Sequence, residues 1–135
     1  MFYKIKMKEE EKIQIMVCNW VKTNTDLPFI HIANERKCNP TRGKILKQMG
    51  VMPGVFDIFI PRGFDKLIYG CLNPPFNGTK THSFHGLWIE LKSEKGKPSK
   101  SQLEFQEIII KEKYKAEIAY GFNEAIEIIK ECYGV

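Results

Sequence analysis

An α/β fold, in which a mixed sheet is flanked by helices within a single domain over residues 1–135, is what this sequence predicts. Helical periodicity near both ends of the chain and short apolar runs between them are the two observations behind this prediction. The order helix, strands, helix, strand, helix is typical of layered α/β domains. With 43% hydrophobic and 12% aromatic residues, the chain has enough apolar side chains for one buried core.

The first predicted element is a helix from Glu9 to Lys22. Its apolar residues recur at three- and four-residue steps, which is the spacing of one helical face. The members of this stripe are Ile13, Met16, Val17, Trp20 and Val21. After the breaker run at 23–28, the β-branched and aromatic residues of 29–33 predict a short strand.

The next segment, from Asn34 to Gly54, is basic and rich in glycine and proline, so we interpret it as a functional loop with a helical turn or two around 44–49. The run VFDIFIP at 55–61 then predicts a strand buried on both faces. It carries one charge, Asp57, in its middle. A charge among apolar residues requires an explanation.

A further strand is predicted around Lys66 to Leu72, followed by a turn-rich stretch at 73–86 that we expect to be an irregular surface loop. The run LWIELK at 87–92 alternates with the period of a strand. Trp88, Glu90 and Lys92 therefore share one face. We expect Trp88 to belong to the core, as most aromatic residues at strand spacing do.

The last part of the chain predicts three elements after a polar turn at 94–102. A helix is expected over 101–114, a strand over 116–120 and a closing helix over 123–133. One stripe of the closing helix is apolar. It consists of Ala125, Ile126, Ile129 and Cys132.

Composition narrows the class of protein. No run approaches the roughly 18 apolar residues of a membrane span, and the N-terminus lacks the apolar core of a signal peptide. We therefore expect a soluble, intracellular protein of the cytoplasm or nucleoid, or of the host cytoplasm if it is viral. The four cysteines show no zinc-finger spacing and predict reduced thiols. The net charge of +5 is weak evidence for an anionic partner.

Asp57, Glu90 and Lys92 are the candidate catalytic residues. Hard divalent cations prefer oxygen ligands, so two carboxylates on neighbouring strands indicate a site for Mg²⁺ or Mn²⁺, with the Leu91 carbonyl as a further ligand. One or two such ions neutralise charge and activate water during phosphodiester hydrolysis. Two residues along a strand separate side chains by about 6.5 to 7 Å, which lets an acid and a lysine address one bound water.

The simpler interpretation is that Glu90 and Lys92 form a surface ion pair and that Asp57 caps a turn. For any short acid-x-lysine pattern this is the commoner outcome. However, this interpretation does not explain why charged residues lie within two apolar strands. The apolar context therefore favours the metal site.

These residues and their surroundings resemble the virus-type replication-repair nuclease (VRR-NUC) domain, a branch of the PD-(D/E)xK nucleases. The likeness runs from about Glu9 to Ile129 and is carried by EEKIQ, GVFDIFIP, HGLWIELKSEKGKPS, SKSQLEFQ and GFNEAIEII. It implies a restriction-endonuclease-like mixed sheet. Phe56 stands where the family usually has proline before the acid, which puts the turn geometry in question rather than the chemistry.

Position by position, the resemblance implies that Asp57 and Glu90 bind metal and that Lys92 is catalytic. It assigns to Gln102 a role in supporting the lysine or the substrate, with Gln106 as the alternative. It also suggests Glu10 as a metal ligand from the first helix. Glu11 is the alternative there, because one residue turns a side chain by about 100° around a helix.

We expect the partner to be DNA. The basic residues suited to grip its phosphates are Arg36, Lys37, Arg42, Lys44 and Lys47. The resemblance implies a structure-selective endonuclease for branched DNA, similar to a Holliday-junction resolvase, and a homodimer. The alternatives are a non-catalytic nucleic-acid-binding module of the same fold and a hydrolase of mononucleotides. We expect the three histidines to lie in exposed loops and not to form a zinc site.

Overall fold

The computed structural model describes residues 6–33, 39–69 and 79–135. Helices and strands follow one another along the described residues largely as expected. In chain order they are α1 (Glu9–Asn24), β1 (Ile30–His31), α2 (Pro40–Gln48), β2 (Ile58–Ile60), β3 (Phe64–Tyr69), β4 (Thr79–Phe84), β5 (Leu87–Lys92), α3 (Lys100–Lys111), β6 (Lys115–Tyr120) and α4 (Phe122–Tyr133).

The central sheet has the strand order β1-β2-β5-β6 and is mixed, as predicted. β2 pairs antiparallel with both β1 and β5, whereas β5 and β6 are parallel. A parallel pair needs a crossover connection, and here α3 provides it. β3 and β4 form a separate two-stranded antiparallel sheet.

The two faces of β5 pack on different helices. Leu87, Ile89 and Leu91 are buried in the main core together with residues of α1 and α4. Trp88 lies on the opposite face, where it packs beside Phe105 of α3 with ring centroids 5.2 Å apart. The alternation expected of LWIELK and the core position of Trp88 are thus confirmed, and the sheet has helices on both sides.

The apolar stripes of the two terminal helices were largely predictable. Ala125, Ile126, Ile129 and Cys132 of α4 are all buried. On α1 the buried residues are Ile13, Val17 and Val21, which recur at four-residue steps. Met16 is 48% exposed, so its predicted place in the core is wrong. None of the helices among the described residues has the length and apolar character that a bilayer span requires.

Two predictions of irregular structure are corrected. The turn-rich stretch at 73–86 contains β4, which pairs with β3 in a register that sets Phe64 opposite Phe84. The prolines that suggested a loop precede the strand, and residues 73–78 lie outside the described residues. The basic segment contains a nine-residue helix, α2, because Asn39 accepts a hydrogen bond from the Arg42 amide at 2.7 Å and Pro40 occupies the first turn.

Candidate active site

Asp57 and Glu90 are neighbours across two antiparallel strands. The register of β2 and β5 pairs Ile58 with Ile89 and Phe59 with Trp88. One further step places Asp57 opposite Glu90, and directly opposite residues project from the same face. Asp57 is half-buried and precedes β2, which corrects the expectation of a fully buried residue in the middle of a strand.

The side chain of Asp57 is also bound to the β5 backbone. Its Oδ2 accepts a hydrogen bond from the Leu91 amide at 3.1 Å. In an extended strand the N–H and C=O of one residue point to the same edge, so the Leu91 carbonyl is directed toward Asp57 as well. The next carbonyl, that of Lys92, accepts from Gly121 at 3.0 Å on the other edge.

Glu90 is fully buried and lies at the centre of the polar cluster. Its Oε2 is 3.2 Å from Nζ of Lys92 and accepts a hydrogen bond of 2.8 Å from Nε2 of Gln102. Lys92 is nearly as buried, with 8% of its side chain exposed. A buried lysine and a buried glutamate are thus paired inside the apolar framework that β5 shares with α3.

Burial, and then the negative charge of Asp57, raise the pKa of Glu90 from its ordinary value near 4.5 to about 7. Lys92 opposes this increase through its charge and its hydrogen bond, whereas a hydrogen bond with Asp57 adds to it. The fold therefore places two carboxyl groups together, and the nearby Lys92 does not fully offset the resulting increase in the pKa of Glu90.

Gln102 is fixed from both sides. Its side-chain Oε1 accepts a hydrogen bond from the Ser99 backbone amide at 2.9 Å. Its backbone amide donates to the Ser99 hydroxyl at 3.2 Å, and the two bonds form the N-terminal cap of α3. Gln106 instead donates to the Ala116 carbonyl at 2.9 Å. Of the two glutamines considered from the sequence, Gln102 therefore contacts the carboxylate cluster.

Gly54 brings the segment before Asp57 against the start of α3. Its φ of +81° is in the left-handed region, and a Cβ there would lie 2.2 Å from the Ser101 carbonyl oxygen and 2.6 Å from the Gln102 nitrogen. No role for this glycine was predicted from the sequence. Its place directly after Pro53 in a turn was a signal that could have suggested one.

A cavity of about 670 Å³ borders Asp57 and reaches the start of α1. The polar residues in its lining include Glu10, Glu11 and His31. Glu11 accepts a hydrogen bond from the Lys8 amide at 2.9 Å and so takes part in capping α1. His31 contacts the Asp57 carbonyl oxygen through Nδ1 at 3.0 Å, which sequence reasoning had not anticipated.

The residues expected to grip DNA are only partly described. Arg42, Lys44 and Lys47 are exposed on α2, and Lys44 and Lys47 line a groove of about 440 Å³. Arg36 and Lys37 lie outside the described residues. His31, His82 and His85 are all exposed, as expected, but His31 lies in β1 and His82 in β4, so their predicted loop positions are wrong.

The donor set suits a hard divalent cation. Within residues 6–33, 39–69 and 79–135, no three His, Cys, Asp or Glu side chains form a ready-made metal cluster. Mg²⁺ is commonly held by one or two carboxylates, with waters and substrate phosphates as its other ligands. Asp57 and Glu90 supply two carboxylates, and the Leu91 carbonyl faces the same region. A cation there would also relieve the repulsion that raises the pKa of Glu90.

Neither a family model nor a curated protein matches the sequence. Among solved structures, the chain is similar to one described as a VRR_NUC domain protein, with a TM-score of 0.66 and 26% sequence identity. The alignment covers 96% of this chain and 92% of that chain. The chain thus has a VRR-NUC-like fold of the nuclease class, which confirms the fold that the sequence motifs implied.

Proposed function

We propose that this protein is a metal-dependent endonuclease that hydrolyses phosphodiester bonds in DNA. The observation that carries the proposal is the convergence of Asp57, directly before β2, with Glu90 and Lys92 of β5 at one end of the β2–β5 pair of a nuclease-type fold. A purely structural ion pair of Glu90 and Lys92 would not require a second carboxylate, and the negative charge of Asp57 makes the ionised form of Glu90 less favourable. A bound cation would account for the presence of both carboxylates.

Asp57 and Glu90 are the proposed metal ligands, with the Leu91 carbonyl as a third donor. Bound Mg²⁺ or Mn²⁺ would supply Lewis-acid stabilisation of the phosphoryl group and a more acidic water. Lys92, held 3.2 Å from Glu90, orients the attacking water beside the carboxylates. Gln102 keeps Glu90 in position through its 2.8 Å hydrogen bond and is therefore a positioning residue.

Glu10 is the proposed contribution of α1 to the metal site. It is half-buried and lines the same cavity as Asp57. Glu11 lines that cavity too, and its carboxylate accepts from the Lys8 amide. Glu10 is the more buried of the two, since Glu11 is exposed, and this difference supports the choice of Glu10.

Selectivity for DNA structure, as in a Holliday-junction resolvase, is the finer part of the proposal. It is supported by exposed lysines and arginine on α2, because contacts to phosphates carry no sequence information. We further propose a homodimer, since cutting two symmetric strands requires two sites related by a twofold axis. Light scattering of the purified protein would report twice the chain mass if this is right.

A non-catalytic nucleic-acid-binding module of the same fold is the second candidate, and its support is the exposed basic surface of α2. It predicts DNA binding without cleavage at any concentration of metal. The mononucleotide hydrolase predicts turnover of small substrates with little dependence on salt, since it makes few phosphate contacts.

One experiment separates these candidates. Wild type and the variants Asp57→Ala, Glu90→Ala and Lys92→Ala are incubated with labelled duplex, single-stranded, flap and four-way-junction DNA in Mg²⁺, in Mn²⁺ and in EDTA. We expect cleavage by wild type only with metal, no cleavage by the three variants, and a preference for a branched substrate. Glu94→Ala is the matched control, because Glu94 is an exposed acid in the turn after β5. Undiminished cleavage by the purified Lys92→Ala protein contradicts the proposal.

A further inference from the structure

Two groups of exposed lysines lie at opposite ends of the central segment of the chain. Lys44 and Lys47 project from α2, whereas Lys97 lies in the segment that leads into α3 and Lys100 is the first residue of α3. The side chain of Lys100 is 92% exposed, and its contact with Glu104 at 4.0 Å is a surface pair of the kind that contributes little. All four lysines are therefore accessible to an external anion.

Gly54 joins these two groups in space. Pro53 lines the α2 groove together with Lys44 and Lys47, and the neighbouring Gly54 touches the backbone of Ser101. Ser101 follows Lys100 directly. The groove on α2 and the first turn of α3 therefore meet at Pro53 and Gly54, which lie between the two groups of lysines.

The start of α3 lies beside the carboxylate cluster. Gln102, which contacts Glu90, is two residues after Lys100, so the two differ by about 3 Å in rise and by about 200° around the helix. Lys100 therefore lies on the outer face of α3, where its side chain is 92% exposed. Asp57 is three residues after Gly54, which limits their separation to about 11 Å. A DNA strand whose scissile phosphate lay at Asp57 and Glu90 would carry its neighbouring phosphates past the lysines.

Acidic residues limit the direction that such a strand can take. Beyond its first turn, α3 exposes Glu104 and Glu107, Glu112 caps its C-terminal end, and the start of α1 carries Glu9 and Glu11. These charges repel a phosphate backbone along the body of α3 and around the end of α1. The favourable path therefore runs from the site across the start of α3 to α2.

We infer that Lys44, Lys47, Lys97 and Lys100 form a phosphate track that holds the duplex flanking the scissile bond. The inference rests on the proposed nuclease function and extends it by assigning Lys97 and Lys100 to the substrate surface. The floor of the α2 groove is apolar, with Leu46, Val51 and Pro53 in its lining, and suits deoxyribose between phosphates. The track positions DNA and reads no bases.

The test compares two double variants, Lys44→Ala with Lys47→Ala and Lys97→Ala with Lys100→Ala, with a control pair, Lys22→Ala with Lys111→Ala. The control lysines are exposed at the far ends of α1 and α3. Affinity for a fluorescent duplex is measured in EDTA over a range of salt concentrations. Each phosphate-binding lysine that is removed lowers the slope of log K against log salt by about one. In each track variant the magnitude of this slope should thus decrease by about two, whereas the control pair should keep the wild-type slope.

A slope equal to that of wild type in either track variant overturns the inference, as does an equal loss in the control pair. A loss confined to one DNA sequence also overturns it, because phosphate contacts are the same in every sequence. Unchanged thermal stabilisation by Mg²⁺ shows that the variants retain the metal site. If the track variants lose slope but wild type never cleaves, the track stands and the nuclease proposal fails. If wild type cleaves DNA and Glu90→Ala does not, but the track variants keep the wild-type salt slope, the nuclease proposal stands and the track fails.

Discussion

The side-chain amide of Gln102 donates a 2.8 Å hydrogen bond to Glu90, while its oxygen accepts from the Ser99 amide at 2.9 Å. The cap of α3 therefore determines the position of a carboxylate on β5. Gln102 thus both caps α3 and positions the proposed metal ligand Glu90.

We predict that Gln102→Ala lowers the cleavage rate by about 10- to 100-fold, because supporting contacts of metal ligands contribute by this factor. The effect should appear in kcat and in the metal concentration that gives half-maximal rate, with little change in the KM for DNA. Gln106→Ala is the control. It removes a hydrogen bond to Ala116 and should cost about 1 kcal/mol of stability without affecting metal dependence. An equal loss of rate in both variants would assign Gln102 a purely structural role.

Lys92→Met should abolish measurable cleavage while leaving the chain folded. The side chain is 8% exposed, so methionine fills nearly the same buried volume but removes the amine beside Glu90. Gel assays under single-turnover conditions measure the rate, and circular dichroism measures the fold. Lys22→Met, at an exposed position on α1, should cleave like wild type. Cleavage by Lys92→Met at the wild-type rate would remove the lysine from the mechanism.

Metal-free stability should fall as pH rises from about 4.5 to about 7. Since the pKa of Glu90 is raised from 4.5 to about 7, the folded chain holds a proton in this range that the unfolded chain releases. Because the unfolded chain binds fewer protons than the folded chain in this range, the free energy of unfolding falls as pH rises. Asp57→Asn removes the neighbouring charge and keeps an oxygen to accept from Leu91, so its Tm in EDTA should exceed that of wild type at pH 8 but not at pH 5.

Added Mg²⁺ should reverse this order at pH 8, because the cation stabilises the two wild-type carboxylates but binds Asp57→Asn weakly. Thermal unfolding with and without the metal gives both comparisons. The same Tm for wild type with and without Mg²⁺ at pH 8 would argue against a metal site at Asp57 and Glu90.

Gly54→Ala should destabilise the fold by more than Gly50→Ala and should impair cleavage. Both glycines have a left-handed φ, of +81° and +94°, and share a strain of about 1 kcal/mol. A Cβ at Gly50 meets nothing within 4 Å, whereas at Gly54 it overlaps the Ser101 backbone. The difference between the two free energies of unfolding, from urea titration, therefore isolates the contact with α3. Equal values would show that this contact contributes nothing.

Local patterns were sufficient for several features of this protein. The alternation of LWIELK placed Glu90 and Lys92 on one face of β5, and helical spacing predicted the buried stripe of α4. Such patterns depend on residues only a few positions apart, whose directions are fixed by the geometry of a helix or a strand. The acid at Asp57 was recognisable for the same reason, as a charge beside an apolar run.

Other features depended on contacts between distant segments. The register that sets Asp57 across from Glu90 joins segments that are separated in the chain by β3 and β4, and no local pattern fixes it. The docking of α3 decided that Gln102, not Gln106, reaches Glu90. β4 was missed because turn residues precede it, and its pairing with β3 supplies backbone hydrogen bonds that propensity does not predict.

The sequence by itself thus determined which polar residues are candidates for the chemistry and, through short-range backbone geometry, which face of each element they occupy. Tertiary structure alone decided which of these side chains meet, because packing across the sheet and against α3 sets the distances among Asp57, Glu90 and Gln102. The raised pKa of Glu90 arises from that packing, through the burial and the neighbouring charge that the fold imposes.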